Sequence, residues 1–168
     1  MAPPTRPVSG ASIASVWGQQ VHDYTFAPAG CDVAGAGVVM LASAATRTLP
    51  IDTAAQDPGG YMDAGSNRLE VPTDGEGLYL IVLRASTING ATTDETRVFI
   101  QVNGSPIGVA TIGNEGGTTL SLPLVVFADL DVGDLITVHG YQAGSGARAT
   151  VGITSLAIVR LGAEFGAP

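Results

Sequence analysis

The stretch that most restricts what this chain can fold into is Gly77-Leu-Tyr-Leu-Ile-Val-Leu-Arg-Ala-Ser86, a β-strand pattern with almost no polar interruption. The breaker run Pro72-Thr-Asp-Gly-Glu-Gly77 precedes it. Strand side chains alternate, so Leu78, Leu80 and Val82 share one face and Tyr79, Ile81 and Leu83 the other. A strand apolar on both faces has to be covered on both. A second sheet of the same domain supplies one cover. The other must come from a sister subunit or from the amino-terminal segment, and the pattern does not choose between them.

A chain of 168 residues suits one domain with a short appendage. Its 45% hydrophobic and 13% charged residues exclude a disordered chain and leave a sparsely charged surface, as expected if part of it is buried in an assembly. The 23 Gly and 10 Pro fit short strands joined by tight turns. The formal net charge is −8, with no lysine and no basic run, which argues against nucleic-acid binding. No apolar run is long enough to span a bilayer as a helix. Met1-Ala-Pro-Pro-Thr-Arg-Pro7 lacks the apolar core of a signal peptide, so synthesis in a cytoplasm is expected.

Taken in order, Met1 to Val8 is a proline-rich extended leader. A short helix is expected next, with Ile13, Val16, Trp17, Val21 and Tyr24 on one stripe, ended by Phe26-Ala-Pro28 and Gly30. That stripe, which carries the only Trp, serves either its own domain or a docking partner, and the proline-rich leader before it favours docking. Val38–Leu41 and Thr46–Ile51 are strand candidates, and Asp52–Gly60 reads as a loop. Glu95–Val102 alternates cleanly into Asn103-Gly104, the strongest short hairpin signal. Thr118–Phe127 carries Pro123, which points to an edge strand or a bulge. Regular short spacing predicts an all-β, two-sheet antiparallel sandwich. The expected division is residues 1–45 as arm and helix, 46–162 as sandwich and 163–168 as tail.

No pattern in the chain builds an active site, and no enzyme activity or cofactor is expected. Asp129, Asp131 and Asp134 lack the further ligands of a calcium loop and are read as turn residues. His22 and His139 form no paired metal motif, and His139 is placed on a strand face with Thr137 and Tyr141. Cys31 is the only cysteine and is read as a small buried residue.

The order of features from Tyr61 to Leu161 resembles the C1q/TNF-like jelly roll. The residues that carry it are Tyr61-Met-Asp, Arg68-Leu-Glu-Val-Pro72, Gly77-Leu-Tyr-Leu80, Val102-Asn-Gly104, Leu130-Asp-Val-Gly-Asp-Leu-Ile-Thr-Val138 and Thr154-Ser-Leu-Ala-Ile158. The resemblance implies a compact homotrimer, with Tyr79 at the family's central-strand aromatic position. Tyr79, Ile81 and Leu83, with Leu156 and Ile158, are then the expected subunit interface. The same architecture recurs in tailed-phage structural proteins, and the leader resembles those of small virion proteins. The expected role is therefore a capsid decoration or minor capsid protein, trimeric, docked on the major capsid protein through Ile13, Val16, Trp17, Val21 and Tyr24. The alternative is the receptor-binding tip of a tail or head fibre, working through loops Ile88–Asp94, Asn114–Gly117 and Ala143–Ala147.

Overall fold

The computed structural model describes residues 30–39, 46–88, 95–113, 119–143 and 150–162. These form β1 (Gly30–Ala34), β2 (Val38–Val39), β3 (Thr46–Thr48), β4 (Thr53–Gln56), β5 (Met62–Asp63) and β6 (Arg68–Glu70). The longer strands are β7 (Gly77–Ile88), β8 (Glu95–Val102), β9 (Ser105–Gly113), β10 (Thr119–Leu130), β11 (Leu135–Gln142) and β12 (Thr150–Gly162). A single 3-10 turn, Ala64–Ser66, is the one helical element among the described residues. The front sheet runs β10-β7-β12-β1-β4, with β2 also on β12. The back sheet runs β5-β6-β11-β8-β9, with β3 also on β11. All pairings are antiparallel, giving the two-sheet jelly-roll sandwich that the strand pattern predicts.

Local chemistry explains the turns. Asn103 and Gly104 take φ values of 50° and 81°, the left-handed pair that a two-residue hairpin between β8 and β9 requires. Asp134 fixes the β10–β11 turn: one carboxylate oxygen accepts from the backbone N–H of Asp131 at 2.8 Å, the other from Asn103 Nδ2 at 2.7 Å. Asp131 and Asp134 are thus turn residues while Asp129 lies within β10, and among the described residues no group of acidic, Cys or His side chains is arranged to hold a metal. Pro123 sits on β10, at the edge of the front sheet, paired with Arg84 without a shift in register. Of the two readings of that proline, the edge position is the one observed.

Two expectations about boundaries change. β1 and β2 pair with β12, so the sandwich includes residues 30–39 and is not confined to 46–162. The Gly, Ala and Val run after Cys31 lacks clean alternation, which hid β1, whereas β2 falls within the strand candidate Val38–Leu41. Residues 53–56, read as loop, form edge strand β4, whose side chains are all exposed and so leave no apolar period. The predicted helix lies outside the described residues.

The core lies between the sheets. Tyr79, Ile81, Leu83, Leu156 and Ile158 of the front sheet face Val98, Ile100, Ile136 and Val138 of the back sheet, and all nine are fully buried within one chain. This corrects the expected interface. Those five front-sheet side chains are already covered by the domain's own second sheet, and they offer no surface to a sister subunit.

Candidate assembly surface

What the front sheet presents to the outside is the opposite face of the same strands. The register of β10, β7, β12 and β1 aligns Phe127, Leu80, Val159 and Gly30 in one row, and Val125, Val82, Ala157 and Asp32 in the next. Leu78 and Leu161 lie beside these rows, towards the turn formed by residues 72–77. Phe127 is 65% and Val125 56% exposed, and Leu161 51%. Three of the five large apolar side chains that are exposed among the described residues therefore belong to this one face. Leu80, Val82 and Val159 are half-buried, because neighbours on adjacent strands shield one another at cross-strand distances. Beyond them the face turns polar. Arg84 pairs with Ser155, whose hydroxyl donates to the Asp32 carboxylate at 2.9 Å.

Sequence reasoning split β7 into its two faces correctly and then assigned the wrong one to the outside. A signal was available. Arg84 lies in phase with Leu78, Leu80 and Val82, and a charge on a strand marks the face that meets water. Val125 and Phe127 were missed for a different reason: only the pairing of β10 with β7 brings them onto this face.

The outward face of the back sheet has another character. Phe99 stacks on His139 with ring centroids 5.5 Å apart, and the Arg97 guanidinium lies 5.3 Å over the Tyr141 ring while pairing with Glu95. The two His139 nitrogens lie 3.0 Å from the Thr137 hydroxyl and 3.5 Å from that of Thr48. Partial burial holds the His139 ring below its ordinary pKa. Here the polar and aromatic groups satisfy one another.

The end of the sandwich near the start of β7 holds a buried knot. The Tyr61 and Tyr79 hydroxyls are 3.0 Å apart, and Tyr79 donates to the Gly75 carbonyl. Burial raises both phenol pKa values, and Tyr79 is raised further by its bond with Tyr61. Arg160 donates to the carbonyls of Asp74 at 2.8 Å and of Glu76. Tyr79 therefore ties the turn formed by residues 72–77 to the core. Cys31 is buried, its thiol pushed up to about 12 chiefly by desolvation, and it has none of the character of an activated nucleophile. Ile13, Val16, Trp17, Val21 and Tyr24 lie outside the described residues, as do residues 89–94, 114–118 and 144–149.

No protein-family model and no curated protein sequence matches the chain. Solved structures match its fold. The globular domain of zebrafish complement 1qA aligns with a TM-score of 0.60 at 11% identity, over 81% of this chain and 98% of that one. The Eiger TNF of S. frugiperda aligns with a TM-score of 0.57 at 12% identity, over 84% and 98%. Murine APRIL aligns with a TM-score of 0.53 at 16% identity, over 79% and 99%. The chain has the C1q/TNF-like jelly-roll fold.

Proposed function

We propose that this chain is a non-enzymatic structural protein that assembles as a homotrimer through the outward face of its front sheet. The observation that carries this reading is the contiguous apolar surface of Phe127, Leu80, Val159, Val125 and Val82. Soluble chains keep such a patch for a partner, and a closed ring is one economical way to cover it. The finer role is a capsid decoration or minor capsid protein on a phage head, with residues 1–26 engaging the major capsid protein. The acidic charge and the proline-rich leader support that role. A decoration protein stabilises its shell by mass action, because it binds the assembled lattice and not the free subunits.

One observation favours the receptor-binding alternative as well. The connections spanning 89–94, 114–118 and 144–149 all leave strand ends at one end of the sandwich, where Ile88 pairs with Thr119 and Thr150. Gly30, where the leader joins, lies towards the other end, opposite Val159. A particle-bound trimer would present those connections outwards, in position to meet a host glycan or surface protein. Binding assays separate the two roles. The full chain is expected to bind empty phage heads, and a chain lacking residues 1–26 is expected to lose that binding while staying trimeric. Binding to host cells but not to heads would reverse the assignment.

A further inference from the structure

Two turns at one end of the back sheet are fastened together by a single side chain. Asn103, the first residue of the β8–β9 turn, donates from Nδ2 to the Asp134 carboxylate at 2.7 Å and accepts at Oδ1 from the Leu135 backbone N–H at 3.0 Å. Its own backbone N–H donates to the Leu135 carbonyl at 2.9 Å. The latch closes where Val102 pairs with Ser105 on one side and Ile136 on the other. Both ends of the side-chain amide are thus held by the start of β11.

The residue that follows gives this latch a chemical consequence. Asn is a thermolabile residue, and Asn before Gly is its most reactive setting, because glycine has no side chain to keep its backbone nitrogen from the Asn amide. Asn103 and Gly104 are both exposed, and a Cβ placed on Gly104 would meet nothing within 4 Å. Only the latch stands between this dipeptide and its reaction.

We propose that Asn103 is a deamidation site gated by its own hydrogen bonds: inert while Asp134 and the Leu135 N–H hold its amide, reactive when they let go, and unable to latch again once converted. The step needs water alone. The Gly104 nitrogen gives its proton to solvent base and bonds to Asn103 Cγ; the Cγ–Nδ2 bond breaks, and the amide nitrogen takes up a proton and leaves as ammonia. Water then opens the five-membered imide at either carbonyl, leaving aspartate or isoaspartate. Nothing is oxidised or reduced, and the chain becomes one mass unit heavier. Aspartate puts a carboxylate where an amide donated to the Asp134 carboxylate, like charge against like. Isoaspartate also routes the backbone through an extra carbon, which a two-residue turn cannot absorb while Val102 stays opposite Ser105. None of this depends on how copies meet.

Peptide mapping by mass spectrometry of the full chain, held in mildly alkaline buffer, tests the gate. Trypsin cleaves at Arg97 and so separates Asn103 from the second such dipeptide, Asn89-Gly90. Asn103 is expected to deamidate several-fold more slowly in buffer than in guanidinium chloride. Asp134→Ala, its sheet content checked by far-UV circular dichroism, should bring the rate in buffer up towards the denatured value. Equal rates at Asn103 in buffer and denaturant would overturn the gate, as would a folded Asp134→Ala chain that protects Asn103 as well as the unmodified one. If that variant unfolds, the comparison of buffer with denaturant still decides. Asn103→Asp builds one product directly, and its denaturation midpoint should fall. An unchanged midpoint would refute the loss of the latch.

Discussion

The two sheets turn very different faces outwards. On the back sheet, Phe99 has His139 against its ring, Arg97 has Tyr141 and Glu95, and the histidine nitrogens have threonine hydroxyls. The polar and aromatic groups there have neighbours that suit them, and Val109, opposite Phe99 on β9, is the exposed apolar side chain beside them. On the front sheet, among the described residues, Phe127, Val125, Leu80, Val82 and Val159 adjoin one another, with Asp32 at the end of their second row and Arg84 in the next. The back face is largely polar and internally paired; the front face is the more apolar of the two. A sandwich needs one buried face per sheet, so a second apolar face on the central strand of one sheet is surface that folding leaves over, and it is the surface the proposed assembly would use.

The sharpest way to break this comparison is to set the inside of the front sheet against its outside. Ile81 is fully buried and Phe127 is 65% exposed, though their strands pair directly. Ile81→Asn should cost about 4 kcal/mol or more, since it leaves an unpaired amide where a methyl-rich side chain packed. Much of the domain's stability would be lost, to be read as a large fall in the denaturation midpoint. A stable, folded Ile81→Asn protein that merely failed to assemble would return the buried face to the interface.

Tyr79→Phe tests the knot beneath the central strand. It strands the Tyr61 hydroxyl and the Gly75 carbonyl, and should cost about 1–3 kcal/mol without changing the oligomeric state. Equilibrium denaturation and light scattering read the two effects separately. The smallest effect is expected on the back face. His139 is held below its ordinary value of 6.5 by partial burial, so the unfolded chain binds its proton more readily than the folded one. The stability this provides is complete above about pH 6.5 and is lost as the pH falls through the lower folded value. Subtracting the curve of a His139→Gln variant should isolate that slope. A difference curve that fell with rising pH instead would contradict the sign.

Much of the architecture was legible in the chain. The turn chemistry at Asn103-Gly104 and Asp134, the alternation of β8 and the edge position of Pro123 all speak through local backbone preferences, which sequence carries directly. β4 was invisible because Thr53-Ala-Ala-Gln56 buries nothing, and β1 because glycine and alanine blur the period of two. The assembly face was half legible. Alternation divides Gly77–Ser86 into its faces but carries no sign saying which is inward, and the evidence that decides it, the phase of Arg84 and the register that sets Val125 beside Val82, is one charge and one long-range pairing.

Whether copies meet on the outward face of the front sheet is tested most directly by the molar mass of the Phe127→Arg chain beside the unmodified one. Light scattering should give three chain masses for the unmodified protein and one for the variant, with the denaturation midpoint of the fold nearly unchanged. A variant that stays trimeric, or an unmodified chain that is already a monomer, would contradict it.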